Sequence, residues 1–316
     1  MAFLTTTIGS FPKPPALHEA RRRYAEGAIE AAALREVENE ATLRALRFQE
    51  DLGLDLLVDG EMDRADPITT FAERLSGVEI AGWVRAYGDR YVRKPRIVGP
   101  VARAGASTVE RFRYARGAAS REVKAVLPGP YSLVDGSYDD HYPSRRAACT
   151  ALAEIVREEV RDLAAAGATD IQIDEPAAGA RPDEIAWMHE LIERVGEPVR
   201  GRARLWVYLG YADLDALGEA LAATPADGLL VAGAHCGYAG VERFARAVPA
   251  NRFVGIGVVD TLRPSVESEG EIRDRIARVR DLVAPDRLWI VPDGGFRALR
   301  PDAARAKLSA MVRAAK

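Results

Sequence analysis

The sequence predicts an α/β fold, a closed (β/α)8 barrel of the TIM type. Three observations carry that prediction. Eight short apolar runs alternate with helical patterns along 316 residues, which is the signature of parallel strands joined by crossover helices. Several runs end abruptly in acids or turn residues, and parallel barrels and open sheets place ligand-binding groups at that end of their strands. The sharpest is Thr-Asp-Ile-Gln-Ile-Asp-Glu-Pro (169–176), where Ile171 and Ile173 give way to Asp174, Glu175 and Pro176. No G-x-G-x-x-G follows the first strand, which weakens the alternative of an open dinucleotide-binding sheet.

The elements follow in order. A strand at 4–9 runs into Ser10, and a helical stretch at 14–52 breaks near Gly27. A strand at 54–59 ends in Asp59-Gly60-Glu61, and a helix follows at 67–76. The stretch 77–122 is too long for a loop and reads as an insertion on the ligand face, with a hairpin at 82–95. The third strand, 123–127, stops at Pro128-Gly129-Pro130. The helix at 144–166 carries Ala148, Leu152, Ile155, Val156 and Val160 at three-to-four spacing. After the strand at 169–174 come a helix at 182–195, a strand at 203–208 and a helix at 213–223. A strand at 228–233, a helix at 239–248 and a strand at 252–258, running to Asp260, come next. Ser268 and Glu271 have the spacing of a capping box for a helix at 268–284. The last strand, 287–292, delivers Asp293, and Pro301 opens the helix at 301–315. No repeat, low-complexity run or composition break divides the chain, so one domain spanning 1–316 is expected.

Bulk properties narrow the function. A hydrophobic content of 48% suffices for a large core. A net charge of −3 asks for neither nucleic acid nor an anionic membrane. The arginines at 21–23 and within 90–96 read as solvated faces or a local anion contact. Cys149 and Cys236 are the only cysteines, which points to a reducing, cytoplasmic setting. Cys149 falls in a helical pattern as a small core residue. The N-terminus does not read as a signal peptide, and no apolar run approaches the length of a membrane span. A small-molecule ligand and a monomer or homodimer are expected.

Several segments together resemble one family. They are Thr-Thr-Thr-Ile-Gly-Ser-Phe-Pro (5–12), Gly-Leu-Asp-Leu-Leu-Val-Asp-Gly-Glu (53–61) and Trp-Val-Arg-Ala-Tyr-Gly-Asp-Arg-Tyr-Val (83–92). With them go Ile-Gln-Ile-Asp-Glu-Pro-Ala (171–177), Gly-Val-Val-Asp (257–260), Val-Glu-Ser (266–268) and Val-Pro-Asp-Gly-Gly-Phe (291–296). The chain resembles the catalytic C-terminal barrel of cobalamin-independent methionine synthase, a structural cousin of uroporphyrinogen decarboxylase. The resemblance implies transfer of a methyl group from methyltetrahydrofolate to the thiol of homocysteine, activated by zinc. It implies that Ser10, Glu61 and Asp174 hold the amino-acid part of the substrate. Two carboxylates can cradle an ammonium, and backbone amides near Ser10 can take a carboxylate. A salt bridge between loops is the simpler use of Glu61 and Asp174. Arg90 matches a family arginine near the folate, and Lys94 and Ser137 are expected beside it.

The zinc ligands of the family have no counterpart. Its His-x-Cys pair matches Trp206 and Tyr208, its glutamate matches Ala232 and its last cysteine matches Gly294. None of these is a zinc donor, so no zinc is expected. The family's proton-transfer histidine matches Leu262, and its pterin-stacking tryptophan matches Gly136. His235 and Cys236 are either a bland loop pair or an acid/base beside a thiol. The expectation is a zinc-independent methyltransferase-like enzyme with a methyltetrahydrofolate-type donor and a small amino-acid-like acceptor. Asp174, Tyr208 and His235 would be catalytic, and Trp206 would wall the substrate pocket. A lyase or isomerase using the same acid/base groups, and a non-enzymatic ligand sensor, remain alternatives.

Overall fold

The computed structural model describes residues 2–85, 91–106 and 108–316. The elements are β1 (Leu4–Thr5), α1 (Pro15–Ala25), α2 (Ala31–Leu52), α3 (Pro67–Ala72), β2 (Leu75–Arg85), β3 (Tyr91–Arg103) and α4 (Val109–Ala118). Next are β4 (Ala125–Pro128), α5 (Pro130–Asp135), β5 (Tyr138–Asp139), α6 (Arg145–Ala165), β6 (Asp170–Asp174), α7 (Ile185–Gly196) and β7 (Arg204–Tyr208). The chain closes with α8 (Leu214–Ala222), β8 (Gly228–Val231), α9 (Val241–Ala247), β9 (Phe253–Val259), α10 (Glu269–Val279), β10 (Leu288–Pro292) and α11 (Pro301–Ala315).

Seven strands form one parallel sheet in the order β1-β10-β9-β8-β7-β6-β4. Its two edges meet through residues 56 and 57. Leu56 bridges Thr6, and Leu57 bridges Val123, both in parallel sense. The ring therefore closes through an eighth segment of two residues, shorter than the predicted strand at 54–59. The cause is Gln49 on α2, whose buried amide takes over the main chain of Val58. Its Nε2 donates to Val58 O at 2.8 Å and its Oε1 accepts from Val58 N at 3.0 Å. A side chain thus replaces the ladder and releases the chain toward Asp59 and Glu61.

Part of the hairpin expected at 82–95 lies outside the described residues, at 86–90. β2 and β3 pair antiparallel with two register shifts, and β5 adds to β3. The stretch 77–122 also holds α4, a helix absent from the sequence expectations. The predicted caps hold at other helices: Ser268 and Glu271 make a full capping box, and Pro301 opens α11.

Apolar side chains pack in two zones. Most lie between strands and helices. The barrel interior holds a second cluster of Ile8, Leu56, Trp206, Tyr208, Leu230, Trp289 and Val291. Trp206 fits there because Gly228 on the neighbouring strand has no side chain, and a Cβ at 228 would collide with the indole. Gly228→Ala is therefore expected to lower stability by about 1–3 kcal/mol, the range for overpacking a filled core. Urea unfolding checks this, and an unchanged midpoint would mean that the indole relocates freely.

Candidate active site

The C-terminal ends of the strands carry two adjoining groups of polar side chains. The first centres on Glu61 and Asp174. Glu61 follows the two-residue bridge in a left-handed turn with φ 55°, rare for a residue with a side chain. Asp59 Oδ1 accepts its N–H at 2.8 Å, and Lys13 Nζ donates to its carbonyl at 2.6 Å. Gly9 leaves room for its carboxylate, which a Cβ at position 9 would strike. Glu61 is buried, and its Oε2 has no hydrogen-bond partner. Asp174, the last residue of β6, accepts from Gln172 Nε2 at 2.6 Å. It also lines a cavity of about 320 Å³ with Ile68, Thr69, Arg93, Ser132 and Arg297. A larger cavity of about 420 Å³, by Phe48 and Arg305 on the outer helices, contains no strand-end acid from the barrel mouth.

Burial sets the electrostatics of this group. It pushes the Asp174 carboxyl up to about 8, aided by the negative charge of Glu61. It raises Glu61 as well, against the pull of Arg64 and Lys13. Burial lowers Lys124, inside the barrel, to about 7, while Asp174 and Asp170 oppose the shift. In this buried site the charge of Glu61 opposes ionisation of Asp174. Ser10 is half-buried, its carbonyl accepting from Phe296 N at 2.7 Å.

The second group centres on Asp293. Its carboxylate is fully buried and accepts three backbone N–H groups, from Gly233 at 2.9 Å, Ala234 at 3.0 Å and His235 at 2.6 Å. Its carbonyl accepts the Tyr208 hydroxyl at 2.8 Å. Asp260, at the end of β9, meets His235 Nδ1 at 3.0 Å. Tyr211 shares a hydrogen bond of 2.8 Å with Thr261. The ring of Tyr211 stands edge-on to His235 with centroids 5.5 Å apart. A Cβ at Gly294 would lie 2.7 Å from the Tyr211 hydroxyl, 3.0 Å from that of Tyr208 and 3.1 Å from that of Thr261. The two groups join at Tyr208, which pairs in register with Asp174 on the next strand.

Five sequence expectations are corrected or fall outside. Trp206 does not wall the mouth. It lies in the lower barrel, where its indole donates to Asp170 Oδ1 at 2.8 Å and packs on Trp289 and Phe253. Residues 206 and 208 share a face but stand one layer apart. Ser137 spends its hydroxyl on Leu133 O at 2.7 Å, closing its own helix. Lys94 rests its ammonium over the Tyr138 ring, 4.3 Å from the centroid, and is not among the cavity's lining residues. Arg90 lies outside the described residues. Tyr208 does face the mouth, but its proton is committed to a carbonyl. Burial drives its pKa well above 10, so it stays a neutral phenol and is no base. Above Gly136, Ile68 fills the space. A Cβ there would sit 2.7 Å from its Cδ1. The reading of the sequence missed Tyr211, Thr261 and the pairing of Asp260 with His235. The strand-end position of Asp260 was the only available signal.

The whole chain, residues 3–316, matches the family described as cobalamin-independent synthase, catalytic domain. The chain belongs to the cobalamin-independent methionine synthase family. It is 35% identical to the 5-methyltetrahydropteroyltriglutamate–homocysteine methyltransferase of Bradyrhizobium diazoefficiens, over all of this chain and 42% of that protein. It thus spans less than half of that relative's length. It is 30% identical to the methionine synthase of Sulfolobus acidocaldarius over 98% of this chain and 90% of that one. Among solved structures it is similar to the B12-independent methionine synthase of a Shewanella species in complex with selenomethionine. The TM-score is 0.85 and the identity 26%, covering 100% and 97% of the two chains. These matches establish a methyltransferase-family barrel.

Proposed function

We propose that this chain transfers a methyl group from a methyltetrahydropteroyl-type donor to a small amino-acid-like acceptor, without a zinc ion. The observation that carries the reading is the unpartnered, buried Oε2 of Glu61 beside Asp174. A buried carboxylate oxygen with no donor is costly unless a cation completes it. An α-ammonium group supplies that cation with three N–H donors. Glu61 and Asp174 would take the ammonium, and the turn at Ser10 the carboxylate. The selenomethionine held by the Shewanella relative is an amino acid of this size. The cavity beside Asp174 has apolar walls at Ile68, Val92, Pro128 and Pro176, with Arg93 and Arg297 among its polar lining. That lining suits a flat donor with a polar edge.

The four residues that the resemblance sets against the family's zinc ligands do not fit the metal. Trp206 and Tyr208 are tied to Asp170 and Asp293, Ala232 has no donor atom, and Gly294 faces three hydroxyls. Zinc takes thiolate, imidazole and carboxylate ligands, and this set supplies none. No step here passes through a metal. A thiol acceptor, with an ordinary pKa of about 8.5, then needs a base from the protein.

The direct test is calorimetry on metal-stripped protein with methionine and with 5-methyltetrahydropteroyltriglutamate, alongside zinc analysis of the protein as purified. Binding of both, with zinc far below one equivalent, is the expected result. Absence of both binding signals, or one tight zinc per chain, would overturn the reading. The pH dependence has a defined sign. Below about 8 Asp174 holds its proton in the free protein. An arriving ammonium favours the carboxylate, so binding releases a proton. Methionine affinity should therefore rise with pH up to about 8 and then level off. Heats measured in two buffers of different ionisation enthalpy should report the released proton. A flat affinity with no buffer dependence would mean that Asp174 does not contact the amine.

A further inference from the structure

Two carboxylates on neighbouring strand ends meet the loop that carries one exposed histidine. Asp293, buried under the loop after β8, fixes the backbone at 233–235 through three N–H groups. Asp260, after β9, faces the imidazole through Oδ2. Asp260 is itself held. Glu267 Oε1 accepts its N–H at 2.9 Å, and Lys307 Nζ donates to its carbonyl at 2.9 Å. Lys307, completely buried on α11, also pairs with Glu267 at 2.7 Å, and Arg275 completes the cluster at 3.1 Å. An ion pair on an exposed imidazole adds little to stability. The machinery behind His235 orients a ring.

We propose that His235, positioned by Asp260, is the proton-transfer residue of this site, serving an acceptor of the thiol class that a base must ionise. The proposal rests on the methyl-transfer reading above. His235 Nε2 takes the proton from the acceptor's S–H. The sulfur then forms its bond to the methyl carbon as the donor's N–CH3 bond breaks, and the same proton passes from the imidazolium to the leaving nitrogen. Atoms and charge balance with no further reactant. Burial works to raise Asp260, but hydrogen bonds from His235 and from the Leu262 N–H outweigh it and hold the carboxyl below its usual range. An ionised Asp260 accepts from Nδ1–H and leaves the Nε2 lone pair free. Besides Asp260, the imidazole neighbourhood contains Arg263, which meets Asp260 Oδ2 at 3.3 Å, and the Tyr211 ring. Asp293 lies under its backbone, and the Cys236 thiol is adjacent in the chain. Tyr211 and Thr261 place this imidazole beside the hydroxyl cluster over Tyr208, one strand from Asp174.

Imidazole nitrogen NMR on histidine-labelled protein tests the dyad without substrate, with His235→Gln identifying the signal. The expected state is Nδ1–H with an unprotonated Nε2, and Asp260→Asn should abolish that preference. A dominant Nε2–H tautomer, or no response to Asp260→Asn, would overturn the proposal. Turnover is then read with 5-methyltetrahydropteroyltriglutamate and homocysteine as probes. His235→Gln should lower kcat about 100-fold or more and leave methionine affinity within about twofold. An unchanged kcat would equally overturn it. Wild-type protein that fails to turn over this pair would count against the methyl-transfer reading, while the tautomer still decides the dyad.

Discussion

Asp293→Ala is expected to be the most damaging single substitution at the barrel mouth, costing about 3 kcal/mol or more. Three backbone N–H groups at 233–235 converge on its carboxylate. Each hydrogen bond to a charged group contributes about 1.5–3 kcal/mol, and a buried donor left without a partner costs about 1–3 kcal/mol. The sum is reduced because water enters where the loop is exposed at His235 and Cys236. Asp293→Asn separates geometry from charge. It keeps one carbonyl oxygen for the loop, so it should cost less than alanine. Burial has already raised the Asp293 carboxyl to about 6. Denaturant titration of both variants gives the comparison. An alanine variant as stable as the parent would show that the loop holds itself. Chemical shifts at 233–236 would then reveal whether His235 still occupies its place.

The second large effect runs in opposite directions for binding and for stability. Glu61→Gln removes a carboxylate whose ionisation is opposed by burial and by its proximity to Asp59. The free protein should lose nothing and gain stability near neutral pH, because one buried charge disappears. Methionine binding should weaken by about 1–3 kcal/mol, the usual worth of a charge-assisted hydrogen bond. Asp174 should respond as well. Glu61 is the like charge that helps raise it to about 8, so its pKa falls in the variant. The rise of affinity with pH then moves to lower pH. Thermal unfolding and calorimetry on one preparation read both arms. A variant that is destabilised and binds normally would make Glu61 a structural anchor for Lys13 and Arg64.

Much of this architecture was legible in the sequence, for identifiable reasons. Strand positions follow from short apolar runs with acids at their ends, and seven of the eight strands appear within a few residues of expectation. The strand at 54–59 is the exception because Gln49, on the preceding helix, competes for its main chain. Nothing local to 54–59 announces that competition. The helix α4 was lost inside the insertion although Val109, Phe112 and Ala115 recur at threes. Thr108 makes no side-chain cap to mark its start. In the site, parity along a strand tells which residues face inward, but not at what depth. Ser10, Glu61 and Asp174 follow their strands and reach the mouth. Trp206, two residues before Tyr208, shares its face and sinks into the floor. The contact between His235 and Asp260 joins two loops separated by a full helix and strand, which no spacing rule encodes.

The two-residue bridge at Leu56 and Leu57 has a dynamic consequence. A hydrogen-bonded ring opens where its fewest bonds must break at once. Here that seam lies between β1 and β4, while β9 and β10 are zipped along their whole length. The same short segment runs directly into the turn that carries Glu61. Breathing of the seam would displace Glu61, one wall of the proposed amine site, while Asp174, locked between β4 and β7, stays fixed. Amides at 56 and 57 should exchange with solvent ahead of those of β9 and β10, and ligand should slow them most. The barrel has, in effect, a door whose hinge is its own incomplete strand.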